Sequence, residues 1–135
     1  MHYYKIREFE AIGSEFALKL ENAGVLTTEH LLEKAGDMKN RSKLAGTTAI
    51  SEMLIMKWVA LANVMRVNGI TKPYGELLFG LGVDSTDKLL AFQPNELVLK
   101  MEELNKIKKL VPDAPKLSDV EQWQTELRTP VFANV

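Results

Sequence analysis

Residues 12–32, IGSEFALKLENAGVLTTEHLL, align without a gap on residues 70–90, ITKPYGELLFGLGVDSTDKLL, at a constant offset of 58. Seven of the 21 positions are identical: Ile12/Ile70, Leu20/Leu78, Gly24/Gly82, Val25/Val83, Thr28/Thr86, Leu31/Leu89 and Leu32/Leu90. Others are chemically close, among them Phe16/Tyr74, Ala17/Gly75, Thr27/Ser85 and Glu29/Asp87. Whatever one segment folds into, the other must fold into as well, and the two must pack together. Each reads as a helix with Phe16 and Leu20, or Tyr74 and Leu78, on one face. Gly24 or Gly82 stands where a left-handed residue closes a helix. Val25 or Val83 then turns inward, and a Ser/Thr cap at Thr27 or Ser85 starts a second, shorter helix.

Between the copies lies the most apolar stretch, Ser51 to Val67. Leu54, Trp58, Leu61 and Met65 share one helical face, and Ile55, Val59 and Ala62 widen it. This predicts a central, mostly buried helix, N-capped by Ser51, with the methionines between 53 and 65 as core filling. A tight turn, Asn68-Gly69-Ile70-Thr71-Lys72-Pro73, follows and opens the next helix. Tyr3–Glu10 reads as a helix before the first copy, and Lys39–Ala45 as a short basic one after it. In the second half Pro94-Asn95 opens a helix to about Leu110, stopped by Pro112 and Pro115. Ser118 caps a last helix with Val120, Trp123 and Leu127 on one face, and the tail from Thr129 to Val135 reads as frayed or extended. The expected fold is all-α: one compact domain over 1–135, with one repeat at about 3–66, the other at about 51–128, and the helix 51–67 shared between them.

Composition narrows the function. At 135 residues, 46% apolar and 26% charged, the chain belongs to the ordinary globular class. It has no cysteine, which excludes disulfides, thiolate metal sites and a cysteine nucleophile. No apolar run suits a membrane span or a secretory signal, so the expected location is the cytoplasm. Histidine occurs only as His2 and His30, the latter matched by Lys88 on an expected solvent face. Glu102 and Glu103 sit among lysines on an exposed helical face. With no nucleophile motif, phosphate loop or metal-ligand spacing, no enzyme activity, cofactor or metal is expected. Trp58 and Trp123 read as core anchors.

The net charge of −1 conceals a block: residues 38–75 hold six bases (Lys39, Arg41, Lys43, Lys57, Arg66, Lys72) against Glu52 alone. It reads either as a solvated face balanced by acidic neighbours or as an anion-attracting patch around the second turn.

The pattern of apolar-Gly turn, helix, Gly-Val and capped helix resembles the helix-hairpin-helix motif. The chain from about Phe9 to Trp123 is similar to an uncharacterised prokaryotic family with tandem motifs of this kind, most closely in ISE…LIMKWV…MRVNGI. The resemblance implies two units about a pseudo-twofold axis that hold nucleic-acid phosphates on hairpin backbone amides without reading sequence. Departures bear on this. The family's hairpin has two glycines around an apolar residue, whereas Ala11-Ile12-Gly13 keeps only the second and Gly69-Ile70-Thr71 only the first. Glu15 follows the first turn and would repel a phosphate; Lys72 and Pro73 follow the second and suit one. The expected site is therefore Arg66, Asn68, Gly69, Ile70, Thr71 and Lys72, with Lys39, Arg41 and Lys43 of the basic block. Ile12, Gly13 and Ser14 form a weaker second hairpin. The expected partner is nucleic acid, DNA sooner than RNA, bound weakly and without sequence preference. The alternative is a protein-interaction or scaffold domain that keeps the fold without nucleic-acid binding, and a membrane partner is not expected.

Overall fold

The structure, a computed structural model, describes residues 3–130. Its elements follow from where side chains and turns can satisfy the backbone. After a 3₁₀ turn at Ile6–Glu8 come α1 (Ser14–Asn22), α2 (Thr28–Ala35), α3 (Met38–Thr48) and α4 (Glu52–Val64). Then follow α5 (Lys72–Gly80), α6 (Thr86–Ala91), α7 (Pro94–Lys108) and α8 (Leu117–Leu127). Among the described residues there is no strand, only an isolated bridge between Lys5 and Thr27. His2 and residues 131–135 of the tail lie outside the described residues.

The aligned segments share their local chemistry down to single hydrogen bonds. Gly24 and Gly82 have φ of 86° and 82°. That left-handed step lets the Val25 N–H reach the Leu20 carbonyl and the Val83 N–H reach the Leu78 carbonyl, each at 2.9 Å. The Thr27 hydroxyl accepts from the His30 N–H at 3.2 Å, and the Ser85 hydroxyl from the Lys88 N–H at 3.1 Å. Phe16 meets Trp58 at 5.5 Å between ring centroids and Tyr74 meets Trp123 at 5.7 Å, both tilted by 54°.

One hydrophobic core runs from Ile6 to Leu127 and includes both tryptophans, with α4 packed against α2, α3, α5 and α6. Each large aliphatic or phenyl side chain sealed there contributes roughly 1.5–3 kcal/mol. Close packing at the α4–α5 junction needs a glycine: a Cβ at Gly75 would sit 2.8 Å from Met65 Sδ. The buried Gln124 amide fastens α8 to α6 by donating to the carbonyls of Leu89 and Phe92 at 3.0 and 2.9 Å.

Several expectations require correction. Tyr3–Glu10 is not a helix. Tyr4 exchanges hydrogen bonds with Thr28, and the Ile6 N–H donates to the Leu26 carbonyl at 2.9 Å, holding its first residues extended against the α1–α2 loop and leaving only the 3₁₀ turn at Ile6–Glu8. Ser51 stands at the start of α4, but its hydroxyl makes no capping bond, and α4 ends at Val64. Met65 is core, whereas Met53 and Met56 are exposed, so the methionines are not all core filling. Ser118 is not the cap of α8; the Asp119 carboxylate accepts from the Lys116 N–H at 2.9 Å and closes its first turn. Asn105 ends α7, its Oδ1 accepting from the N–H groups of Leu110 and Val111. His30 is only half-exposed, and its Nδ1 accepts from the Leu26 N–H at 3.2 Å.

Candidate anion-binding hairpins

Both turns are built around one buried isoleucine and one left-handed glycine. Ile12 and Ile70 are core residues, and each pins its turn to the body of the protein. In the first turn the positive φ falls at Gly13 (83°), and the N–H groups of Ile12 and Gly13 both donate to the Phe9 carbonyl. In the second it falls at Gly69 (90°), where the Ile70 N–H donates to the Val67 carbonyl at 3.2 Å. The single glycine kept by each turn thus occupies its one left-handed residue. Because those glycines stand on opposite sides of the isoleucine, the backbone paths of the two turns differ. A Cβ at Gly69 would come 3.1 Å from Trp123 Nε1, so α8 forms the wall behind the second turn.

Carboxylates already stand at both turns. Glu126, one helical turn beyond Trp123 on α8, places Oε2 2.9 Å from the Asn68 N–H. Glu76 of α5 reaches across to the first turn, where Oε1 accepts from the Ala11 N–H at 3.5 Å. Lys72 is bound to the segment before the first turn. Its Nζ donates to the Glu8 carbonyl at 3.0 Å in a cleft of about 200 Å³ lined by Glu8, Glu10, Pro73, Glu76 and Leu110.

The other expected residues do not assemble around the second turn. Arg66 lines a different cleft, with Tyr3, Glu29, Glu33 and Asn63. Arg41 caps the end of α2, donating to the carbonyls of Ala35 and Gly36 at 3.2 and 3.4 Å, where the helix dipole favours a cation. Lys39 and Lys43 are exposed on α3. Thr71 is exposed at the start of α5 and makes no side-chain cap bond. Ser14 is exposed at the start of α1. Glu126 and Glu76 were not among the expected site residues. The one signal for Glu126 was its place three residues after Trp123, on that side of the last helix.

The model of a family described as a domain of unknown function, DUF4332, matches residues 10–129. The chain belongs to this family. The DUF4332 match takes in both turns, both tryptophans and Glu126. No curated protein and no solved structure matches the chain. Among the described residues of this DUF4332 chain, no three His, Asp or Glu side chains group as metal ligands, and no helix is long and apolar enough to cross a membrane.

Glu76 carries a pH consequence. Burial pushes its carboxyl up and Glu10 adds to this, while the Ala11 N–H and Lys72 pull it back. The folded state therefore keeps the proton to higher pH than the unfolded chain does. Stability should fall as pH rises from the ordinary carboxylate range through the raised folded value. Glu76→Gln, which keeps an acceptor for Ala11, is expected to flatten that fall and to match or exceed the wild type at neutral pH. Thermal melts from about pH 4 to about pH 8 check this; an unchanged slope would place the titration elsewhere.

Proposed function

We propose that this chain is a non-catalytic protein-interaction domain made of two helix-hairpin-helix units whose hairpins are closed by its own carboxylates. The equivalence of α1–α2 with α5–α6, bond for bond, supports two copies of one unit related by a near-twofold rotation with α4 between them. The observation that carries the functional reading is the Glu126 carboxylate on the Asn68 N–H at 2.9 Å. A phosphate approaching that amide meets a like charge, which costs about 1 kcal/mol at 4 Å in water and about 4 kcal/mol near a protein surface. Glu76 stands more loosely at the first turn, 3.5 Å from the Ala11 nitrogen. Lys72, the cation expected to offset this, is bound to the Glu8 carbonyl among three glutamates.

Backbone binding to nucleic acid is the second reading. What favours it is the exposure of Lys39, Lys43 and Lys57, although these lie on α3 and α4 and not at a turn.

Fluorescence anisotropy with a short labelled duplex and the matching single strand separates the two. At low salt the wild type is expected to show no saturable binding tighter than ~10⁻⁴ M. Glu126→Gln, which leaves an uncharged side chain at the second turn, is expected to bind the duplex more tightly than the wild type does. Wild-type binding at ~10⁻⁴ to 10⁻⁶ M, with log K falling against log salt by about 0.9 per phosphate, would overturn the protein-interaction reading. Loss of that binding in Lys72→Glu would then place it at the second hairpin, and loss in Lys43→Glu on α3.

A further inference from the structure

We propose that the exposed face shared by α3 and α4 docks an acidic amphipathic helix of a partner protein. The proposal rests on the protein-interaction reading and names its surface and the chemistry of its partner. On α4, Met53, Met56, Lys57 and Ala60 fall at i, i+3, i+4 and i+7, so the helix that seals the core on one side keeps an apolar stripe on the other. Met53 is 63% exposed and Met56 48%, against 1% for Met65 on the same segment. On α3, Met38 is 75% exposed. The Ser42 hydroxyl donates to Glu52 Oε1 at 2.7 Å, tying the two helices together. The chain reverses at Ala49, so one turn from that bond in the same direction reaches Met38 on α3 and Met56 on α4. Met38 and Met56 thus each stand one turn from the point where the two helices are tied.

Charge selects the occupant. Lys39 and Lys43 are one turn apart on α3, Lys57 adjoins Met56, and all three are exposed. Among the described residues none of the three is in an ion pair. Glu52, the one acid between residues 38 and 75, is held by Ser42. On its α2 side Lys43 lines a groove with Glu33 and Lys34. Flexible thioethers adapt to an apolar helix face, and flanking lysines pair with carboxylates at its edges. A phosphate backbone would leave three methionines without a partner, and no exposed aromatic ring lies on α3 or α4 for bases to stack upon.

The test uses the full chain with methyl-labelled methionines, titrated with a synthetic peptide. That peptide carries leucines at i, i+3, i+4 and i+7 and glutamates elsewhere, with a scrambled peptide of equal composition as control. The methyl signals of Met38, Met53 and Met56 are expected to shift while those of the buried Met65 and Met101 stay. Met56→Glu and Lys43→Glu, both at exposed positions, are each expected to weaken binding by about tenfold or more. No binding, equal shifts with the scrambled peptide, or shifts confined to other surfaces would overturn this docking face and leave the protein-interaction reading standing. Methyl shifts produced by duplex DNA and not by the peptide would overturn both. Shifts with anionic lipid vesicles in place of the peptide, or with protein concentration alone, would replace the partner helix by a lipid surface or a second copy, and so overturn the proposal.

Discussion

Leu20→Ala and Leu78→Ala are each expected to cost about 2–5 kcal/mol, and to cost similar amounts. Both leucines are fully buried, and each stands at the end of its helix where the carbonyl accepts the valine N–H that closes the hairpin. The backbone bond survives truncation to alanine, so the loss is that of packing: the transfer energy of the removed carbons plus the cavity they leave. Urea denaturation with an unchanged m-value measures this directly. A near-zero effect at either position would contradict its place in the core. A large difference between the two would contradict the near-twofold relation proposed above, because equivalent sites should collapse equally well.

Trp123→Ala is expected to be the most damaging substitution in the second half, at about 3–5 kcal/mol. Its indole lies against the Tyr74 ring at 5.7 Å and forms the wall behind Gly69, so its loss opens the core beneath the second turn. Glu126 rides on that same side of α8, and without the indole to seat the helix its hold on the Asn68 N–H should loosen too. Trp123→Phe keeps a ring against Tyr74 and should lose clearly less. Near-ultraviolet circular dichroism with chemical denaturation reads both effects. If alanine and phenylalanine proved equivalent, ring packing would not be what α8 contributes.

The helices and their order were legible in the chain because they depend on neighbours in sequence. The offset of 58 placed Gly24 and Gly82, Thr27 and Ser85, and Leu20 and Leu78 at matching points, and left-handed closure and side-chain capping are decided within a few residues of the chain. The apolar stripe of α4 was legible for the same reason, through its helical period. Where local rules were applied one residue too freely they failed. Ser51 and Ser118 have the right chemistry for a cap, but the hydroxyl of Ser51 makes no capping bond and the first turn of α8 is closed by Asp119. Tyr3–Glu10 has a helical pattern, yet its backbone is held by Leu26 and Thr28.

The candidate site depended on contacts that no local rule contains. Lys72 follows a glycine turn at the start of a helix, and by sequence it belongs to a phosphate; in the fold it reaches back 64 residues to the Glu8 carbonyl. The amide of Asn68 is open by sequence and is met by Glu126 from 58 residues away. Arg41 looks like part of a basic patch and instead caps α2. Helical periodicity likewise could not decide which side of α4 would remain uncovered, because Met53 and Met56 are as apolar as the residues sealed on its inner face. By itself the sequence determined an all-α chain and the two segments that repeat within it, since hydrogen bonds close over three or four residues and apolar spacing fixes a face. Only the tertiary structure decided which charges meet the hairpin amides, because electrostatic partners are chosen by distance in space and the chain does not encode that distance locally.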